Sequence, residues 1–474
     1  MKAVIALGIA VLIVLIKSLT GFLIVHLLWD SRKTGDMLLK LCLGLGAGMG
    51  ISSLLYFLWY WFGLPPQRYF VFELIALVLL IVLNWVHEPV FPMQLQLRRV
   101  SLSGQTLAWL VLAAVAVLSC SVKFALNASQ NPYGVDDAWN IWNVAARFIY
   151  RTGDNSWFLF LSKDTWFHTD YPLLLGLNID DGWSIMGTES VFMSIVIPFA
   201  FMIGMIGLIF ASLKIIRGVE QAALAVIVIS SVTWLPYFSA WEYGDLPLSY
   251  YFLGCGALLY LCTIMPGKSA HLAVCAGLFA GLAAWTKNEG IVFILVSTTA
   301  CCLLSWQSRK NLLKYFVLGL VLPIVVIFLF KTLTVGNDLF ANRAKSMFQL
   351  LDPSRYTITL SSMVFYIFGF GGWPVSFAGV MLIYAILVWK RSRVTGRLWV
   401  VVFLLSMQYL AYFGIYLITP NDLAVHIGTS LSRLVFQLLP LGILAIFIFL
   451  PSPPELQIIP SEAVFGAENY PEEG

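Results

Sequence analysis

The sequence predicts an all-α protein whose helices form a polytopic bundle in a membrane. Hydrophobic residues make up 60% of the 474-residue chain and charged residues only 11%, whereas soluble domains carry roughly 25% charged residues. Apolar runs that are long enough to cross a bilayer as a helix, which takes about 20 residues, recur along the chain. Basic residues cluster in the polar segments between alternate runs, a pattern that is typical of polytopic membrane proteins.

About thirteen runs have the length expected of a membrane span, roughly 20 residues each. The basic clusters, among them Arg98 with Arg99 and the segment from Lys390 to Arg397, all fall on one side of this arrangement. The positive-inside rule makes that side cytoplasmic and places the N-terminus outside. The predicted spans are 3–29, 38–63, 69–86, 105–124, 188–212, 220–240, 246–265, 270–286, 290–306, 314–335, 361–389, 397–418 and 433–450.

The same pattern divides the chain into three parts. Residues 1–104 hold three N-terminal spans, 105–450 form a transmembrane domain with an extracytoplasmic outer loop at 127–187, and 451–474 form a cytoplasmic tail. The tail combines proline and glutamate with few apolar residues, which predicts disorder. The net charge of +4 and the short basic clusters give no indication of a nucleic-acid partner. The seven cysteines lack the CxxC or Cys/His spacing of a metal site.

The most unusual polar motif lies in the outer loop, where Asp136 and Asp137 precede Trp139 and Trp142. The aromatic and aliphatic residues from 137 to 151 could line one side of a helix, with the tryptophans at the depth of the lipid headgroups. A carboxylate at the start of such a helix is favoured by the helix dipole and serves as an N-cap. One carboxylate suffices for capping, so the second favours a functional pair.

Two further acidic motifs lie on the predicted outer side. His168 and Asp170, followed by Tyr171, are candidates for orienting a substrate or a general base, with an Asx turn before Pro172 as the structural alternative. Glu242 and Asp245 lie between two spans, where carboxylates at the tip of a loop are usually only solvated. They gain functional interest only if they share one face of the bundle with Asp136 and Asp137.

Basic residues on the same side predict an anion site. Lys287, Asn288 and Glu289 interrupt two apolar runs, and Lys287 could bind an anion, extend to the headgroups or pair with Glu289. If the segment before the last span is helical, His426, Ser430 and Arg433 share one face. An arginine there could hold a lipid phosphate with its planar fork of donors, or extend to the headgroups.

Five motifs follow one another along the chain, beginning at Asp136, His168, Tyr243, Gly281 and His426. Their residues and their order resemble those of bacterial membrane glycosyltransferases of the GT-C superfamily, in particular the group of protein O-mannosyltransferases and aminoarabinose transferases. The resemblance covers roughly Leu107 to Leu441 and leaves the first three spans outside it. The motifs begin at Asp136 (Asp-Asp-Ala-Trp-Asn-Ile-Trp), His168 (His-Thr-Asp-Tyr-Pro), Tyr243 (Tyr-Gly-Asp-Leu-Pro-Leu), Gly281 (Gly-Leu-Ala-Ala-Trp-Thr-Lys-Asn-Glu-Gly) and His426 (His-Ile-Gly-Thr-Ser-Leu-Ser-Arg).

The resemblance implies an integral protein of a bacterial inner membrane whose active site faces the exterior. Such enzymes move a sugar, with inversion, from a polyprenyl-phosphate carrier to a glycan, lipid or protein acceptor. Asp136 would be the general base, Asp137 aligns with a second family acid, and the remaining motif residues would bind substrate. Lys287 and Arg433 would hold the carrier phosphate, and the pocket would include His168, Asp170, Tyr171, Glu242, Asp245, Asn288, Glu289 and His426.

The resemblance implies no required cofactor, because phosphate is already a good leaving group and cationic side chains can neutralise its charge. Clustered carboxylates can bind a divalent metal ion, so the sequence does not exclude a metal site. The alternative functions are a transporter or flippase for lipid-linked sugars and an enzyme of the O-antigen ligase or polymerase kind. A transporter would more often carry charges in the middle of the membrane and show internal repeats. A ligase of that kind depends on a large late loop rather than on an early pair of acids.

Overall fold

Helices account for all regular structure in the part of the chain that the structure, a computed structural model, describes. That part comprises residues 2–29, 34–87, 103–152, 169–334, 348–369, 375–388, 394 and 396–453. The all-α prediction is confirmed for these residues. The α-helices are Lys2–Leu28 (α1), Thr34–Trp61 (α2), Tyr69–His87 (α3), Gly104–Gln130 (α4), Asn143–Thr152 (α5), Leu174–Met186 (α6), Val191–Ile216 (α7), Val219–Ser231 (α8), Trp234–Ala240 (α9), Asp245–Ile264 (α10), Ser269–Thr286 (α11), Glu289–Ser308 (α12), Leu312–Leu333 (α13), Pro353–Gly369 (α14), Phe377–Val388 (α15), Trp399–Ile418 (α16) and Leu423–Phe449 (α17).

Many of these helices are suited to a membrane. Within the described ranges, 11 are long and apolar enough to cross a membrane. The composition and helix lengths are therefore those of a polytopic membrane protein. The expected span at 220–240 consists of α8 and α9, which are bent by 63° relative to each other. The bend lies at Val232, whose extended backbone ends α8. The next helix, α9, begins at Trp234 and contains Pro236.

Two predicted spans differ from the helices observed. The run at 361–389 is divided between α14, which ends at Gly369, and α15, which begins at Phe377. The last helix begins at Leu423 instead of near 433. Its start is fixed by Asp422, whose carboxylate accepts a hydrogen bond from the backbone N–H of Val425 at 2.9 Å. Hydropathy alone does not detect this start, because the first turns of α17 are polar on one face.

The N-terminal helices are packed into the bundle. Gly48 of α2 lies against the backbone of α1, so closely that a Cβ atom there would be 1.8 Å from the carbonyl oxygen of Lys17. Close backbone approach at small residues is typical of helix pairs in membranes. On its other side α2 contacts α10, where Tyr251 donates a hydrogen bond to the carbonyl oxygen of Gly46 at 2.9 Å. The tail predicted to be disordered, 451–474, lies outside the described residues beyond position 453.

The connections between helices gather at two ends. At one end Lys268 pairs with Asp36 at 3.1 Å, and Lys310 donates a hydrogen bond to the carbonyl oxygen of Pro266 at 2.8 Å. These contacts join segments that the sequence pattern assigns to the cytoplasmic side. At the other end, Arg433 of α17 contacts Asp137, in the segment after α4. Asn288, next to the start of α12, and Lys331, at the end of α13, both contact Asp170. The polar motifs of the predicted outer side therefore share one end of the bundle.

Candidate functional site

The segment that carries Asp136 is held in a strained backbone conformation. Asp136 has φ +35° and Glu242, in the adjoining loop, has φ +60°. A non-glycine residue in such a conformation costs on the order of 1–3 kcal/mol and persists only where its surroundings fix it. Here the N–H of Val135 donates to the carbonyl oxygen of Trp241 at 3.4 Å. A Cβ atom at Gly134 would lie 2.7 Å from that same oxygen. The two loops are therefore fixed against each other.

The predicted helix at 137–151 is present in two parts. One π-helical turn spans Ala138–Trp142 and continues directly into α5; single π-turns are frequent at functional sites. Asp137 occupies the N-cap position, but its side chain makes no capping hydrogen bond. The capping interpretation of Asp137 is therefore wrong. The side chain of Asp136 is exposed at the start of this turn.

Arg433 is the partner of Asp137. Its Nη1 donates a hydrogen bond to Asp137 Oδ2, and its guanidinium carbon lies 5.2 Å from the ring centre of Tyr243. The hydroxyl of Tyr243 donates to Asp136 Oδ2 at 3.4 Å. Arg433 Nε is buried and has no hydrogen-bond partner among the described residues. The four side chains form one cluster, in which the guanidinium is directed at a carboxylate and does not extend to the headgroups.

Lys287 is enclosed by carboxylates instead of facing open space. It is only 3% exposed, and its Nζ lies 2.9 Å from Asp245 Oδ1 and 3.1 Å from Glu289 Oε1. The local pair with Glu289 is thus present, and the extension of Lys287 to the headgroups is wrong. Burial alone would lower the pKa of Lys287, but Asp245 and Glu289 outweigh it and hold the pKa above its ordinary value. The ammonium stays charged and is already compensated.

Asp245 is a buried residue and not a solvated one at the tip of a loop. It is 0% exposed and begins α10. Gln437 of α17 donates a hydrogen bond to the same Oδ1 that Lys287 contacts, and Tyr412 of α16 donates to Gln437 Oε1 at 2.5 Å. This network joins α10, α16 and α17 to the connection between α11 and α12.

A third group contains a cation that the sequence did not single out. Asn288 donates a hydrogen bond to Asp170 Oδ2 at 2.6 Å, and Lys331 donates to Asn288 Oδ1 at 2.7 Å and to the carbonyl oxygen of Asp170 at 2.5 Å. Lys331 lies in the last turn of α13. Its signal in the sequence is a single lysine at the end of an apolar run. The predicted span 314–335 includes this lysine, so it was treated as part of the membrane helix. His168 lies outside the described residues, so its predicted pairing with Asp170 stays a prediction.

Tyr171 connects these groups. The Nζ of Lys287 lies 5.6 Å from the centre of its ring, and its ring centre is 5.7 Å from that of Trp142 in the π-turn. Burial is the main cause that raises the pKa of Tyr171 above its ordinary value, and the charge of Glu289 acts in the same direction. Tyr171 is therefore a neutral hydroxyl between the lysine and the outer-loop helix.

Glu242 is buried and bonded within the protein, contrary to the expectation that it contacts substrate. It is 5% exposed, and its Oε2 accepts a hydrogen bond from Asn143 Nδ2 at 2.6 Å. Asn143 in turn accepts from Ser194 at 2.9 Å. Burial raises the pKa of Glu242 well above its ordinary value, against the opposing effects of Asn143 and Arg147. This buried carboxyl joins the outer loop to α7 through Asn143 and Ser194.

His426, Ser430 and Arg433 lie on one helix, as the sequence predicted, but their roles differ. The Nδ1 of His426 lies 2.8 Å from the hydroxyl of Thr419, in the connection from α16. Ser430 is 2.8 Å from the hydroxyl of Tyr416. These contacts hold the start of α17 against the end of α16. His426 thus stabilises the helix that carries Arg433.

Carboxylates outnumber cations in this part of the described chain. Each of the three cations already contacts a protein acceptor. Among the described residues, no group of three or more His, Cys, Asp or Glu side chains is arranged to hold a metal ion. The carboxylates are Asp136, Asp137, Asp170, Asp245 and Glu289, and the cations are Lys287, Lys331 and Arg433.

Fold alone does not fix function, which resides in the chemistry of specific side chains. That chemistry is all the more important for this chain. No family model matches it, and neither a curated protein nor a solved structure is significantly similar to it.

Proposed function

We propose that this protein is an inverting glycosyltransferase that moves a sugar from a polyprenyl-phosphate carrier to an acceptor hydroxyl. The observation that carries the proposal is the exposed carboxylate of Asp136, strained at φ +35° and linked through Tyr243 to the Arg433 cluster. A base and an arginine that recognises phosphate then lie side by side at one end of a membrane bundle. The resemblance of the five motifs to GT-C enzymes supports the same function.

The proposed reaction needs no chemistry beyond these groups. The acceptor oxygen attacks the anomeric carbon of the donor sugar, and the hydroxyl proton passes to the carboxylate of Asp136. The bond between the anomeric carbon and the phosphate oxygen breaks, and its electron pair leaves on the phosphate. Attack from the face opposite the phosphate inverts the configuration. Arg433 neutralises the charge that develops on the departing phosphate.

Arg433 suits the phosphate better than Lys287 does. A guanidinium has five N–H donors, and among the described residues Arg433 uses Nη1 for Asp137 alone. Lys287, by contrast, is buried between Asp245 and Glu289. Its proposed role is therefore to position α10 and α12, which differs from the direct phosphate contact expected from the resemblance. Asp137 holds Arg433 in place before the donor binds.

The test is the transfer of a radiolabelled sugar from a polyprenyl-phosphate donor by the purified protein in detergent. Asp136→Asn is expected to lower the rate at least about 100-fold, the usual contribution of a general base, without changing the thermal stability. Asp352→Asn is the matched control, since Asp352 is exposed and accepts its hydrogen bonds from Ser354. Transfer near the wild-type rate by Asp136→Asn would refute the assignment of the base.

The acceptor and the membrane belong to the same proposal. We place the protein in a bacterial inner membrane with the site facing the exterior, since the basic clusters gather at the opposite end. The acceptor is a glycan, a lipid or a protein of the cell envelope. Mass spectrometry of envelope glycolipids and glycoproteins, with and without the gene, identifies both the sugar and the acceptor. Identical envelope profiles would contradict this placement.

A second candidate function is transport of a lipid-linked sugar, and one observation favours it. Lys17 lies near the middle of α1 and is buried among carboxylates, whereas charges in the middle of a membrane are typical of transport pathways. A fluorescent lipid-linked sugar in proteoliposomes distinguishes the two functions. Movement between leaflets without transfer to any acceptor would favour the transporter.

A further inference from the structure

A second group of buried ionisable residues lies where the three N-terminal helices meet α6, apart from the candidate site. It consists of Lys17 on α1, Glu73 on α3, and Asp180 and Asp181 on α6, all of them buried. Asp180 is 0% exposed. Ionisable residues placed this deeply in a membrane protein are costly and tend to be functional.

The ammonium of Lys17 is shared between a carboxylate and two neutral acceptors. It lies 2.6 Å from Asp181 Oδ2 and donates to Ser52 Oγ at 2.8 Å and to Asn178 Oδ1 at 3.0 Å. An ammonium has three N–H donors, and two of them are directed at these neutral groups. Glu73 Oε1 is farther away, at 3.7 Å from Nζ, and accepts its hydrogen bond from Ser52 at 2.5 Å.

Four buried carboxylate oxygens have no hydrogen-bond donor among the described residues. They are Asp180 Oδ1, both oxygens of Asp181 and Glu73 Oε2, and of these Asp181 Oδ2 faces the charge of Lys17. With all groups ionised, three carboxylates would face a single ammonium in an interior of low dielectric. An uncompensated buried charge costs several kcal/mol and is normally removed by protonation.

We propose that this cluster is a proton-binding site in which the carboxyl group of Asp180 carries an exchangeable proton at neutral pH. Asp181 Oδ2 and Glu73 Oε1 face the ammonium of Lys17, at 2.6 and 3.7 Å. Asp180 receives its hydrogen bond from a neutral group, the hydroxyl of Tyr60, at 2.9 Å from Oδ2. Its second oxygen has no donor, so the neutral acid is the form that this environment favours.

The surroundings of Asp180 also favour the protonated form of its carboxyl group. Burial raises the pKa of Asp180 to about 8, and the charge of Asp181 adds to this effect, whereas the nearby hydroxyls of Tyr60 and Tyr56 and the charge of Lys17 oppose it. The charged groups that face it are Lys17 of α1, Glu73 of α3 and Asp181 of α6. The titratable hydroxyls nearby are Tyr56 and Tyr60 of α2, Tyr69 of α3 and Tyr150 of α5.

A proton is the ligand that fits this geometry. The oxygens without donors belong to side chains directed at different partners, Lys17 for Asp181 and Tyr60 for Asp180. No group of three metal-ligating side chains among the described residues is arranged around a common point. The site is independent of the proposed sugar transfer, because none of its residues takes part in that reaction.

Infrared difference spectroscopy of the purified full-length protein, titrated with base, tests this site. We expect a band from a protonated carboxyl group that disappears as the pH rises, with a midpoint near the pKa of about 8. The band should be absent in Asp180→Asn and retained in Asp36→Asn, the matched control, which alters a buried aspartate at the opposite end of α2 from Tyr60. Burial also raises the pKa of Glu242, so all variants are compared in a Glu242→Gln background, where a titrating band that persists in Asp180→Asn would overturn the assignment.

Two further measurements keep the test decisive if Asp180→Asn fails to fold. Asp181→Asn removes the closest partner of Lys17 but leaves Asp180 in place, so the band should remain. The titration is also repeated with sodium replaced by choline at constant ionic strength. An unchanged midpoint supports a proton site. A midpoint that shifts with sodium, or a wild-type spectrum without a titrating carboxyl band, would overturn the proposal.

Discussion

At the scale of single residues, Asp136 and Asp137 have different environments despite being neighbours in sequence. Asp137 pairs with Arg433, whereas Asp136 is exposed, has φ +35° and receives a hydrogen bond from Tyr243. Burial is the main cause that raises the pKa of Tyr243 above its ordinary value, and the charge of Asp137 adds to it. Tyr243 therefore remains a neutral donor. The geometry separates a carboxylate that can accept a proton from one that holds a cation.

Substituting Arg433 tests the proposed phosphate contact. We expect Arg433→Ala to raise the KM for the donor by about tenfold or more, equivalent to roughly 1.4 kcal/mol or more, with a smaller effect on kcat at saturation. The reason is that the arginine contacts the phosphate in the bound donor as well as in the transition state. The measurement is steady-state transfer at varied donor concentration.

The matched control for this substitution is Arg151→Ala. Arg151 is exposed and pairs with Glu189 at 2.5 Å, at the end of α5. It should change neither KM nor kcat. If Arg433→Ala left the apparent affinity for the donor unchanged, Arg433 would be only a structural partner of Asp137.

At the scale of elements, the packing of α1 on α2 depends on residues without side chains. A Cβ atom at Gly48 would lie 1.8 Å from the carbonyl oxygen of Lys17, and one at Gly21 would lie 2.0 Å from the carbonyl oxygen of Gly44. Contacts this short with backbone atoms cannot be relieved by moving one side chain. The two helices must separate if either glycine is substituted. Since Lys17 lies at this contact, the buried proton site depends on the same close approach.

Gly48→Ala is therefore expected to destabilise the protein by about 1–3 kcal/mol, the usual cost of overpacking a closely packed interior. Gly8→Ala, in α1, is the matched control because a Cβ atom there meets nothing within 4 Å. Reversible unfolding in a mixed detergent system measures both variants. Equal stability of the two variants would show that the helices separate without cost.

At the scale of the whole molecule, hydropathy and basic clusters were enough to predict the all-α class and most of the helices. The start of α17 at Leu423 and the break between α14 and α15 were not predictable in this way. Caps and breaks depend on single polar groups such as Asp422, which change the mean hydropathy of a 20-residue segment very little.

Most side chains of the candidate cluster were singled out from the sequence, but their pairings were not. The motifs that hold Asp136, Lys287 and Arg433 were identified from their position between apolar runs. That Lys287 would face Asp245 and that Arg433 would face Asp137 depends on contacts between residues 42 and 296 positions apart in the chain. Lys331 was missed because a lone lysine at the end of a span resembles one that extends to the headgroups.

The stability of the whole molecule should fall as the pH rises from about 4 to about 8, the interval between the unfolded and the folded pKa of Asp180. Burial raises the pKa of Asp180 to about 8 and that of Glu242 well above its ordinary value, so each carboxyl binds its proton more tightly in the folded state than in the unfolded state. The stability from each group is fully present below its unfolded pKa, about 4, and is lost as the pH rises through its folded pKa. Thermal unfolding across this range measures the slope. Asp180→Asn and Glu242→Gln, which retain the shape of the neutral acids, should each flatten it, and a slope that both variants leave unchanged would contradict the assignment of neutral carboxyls.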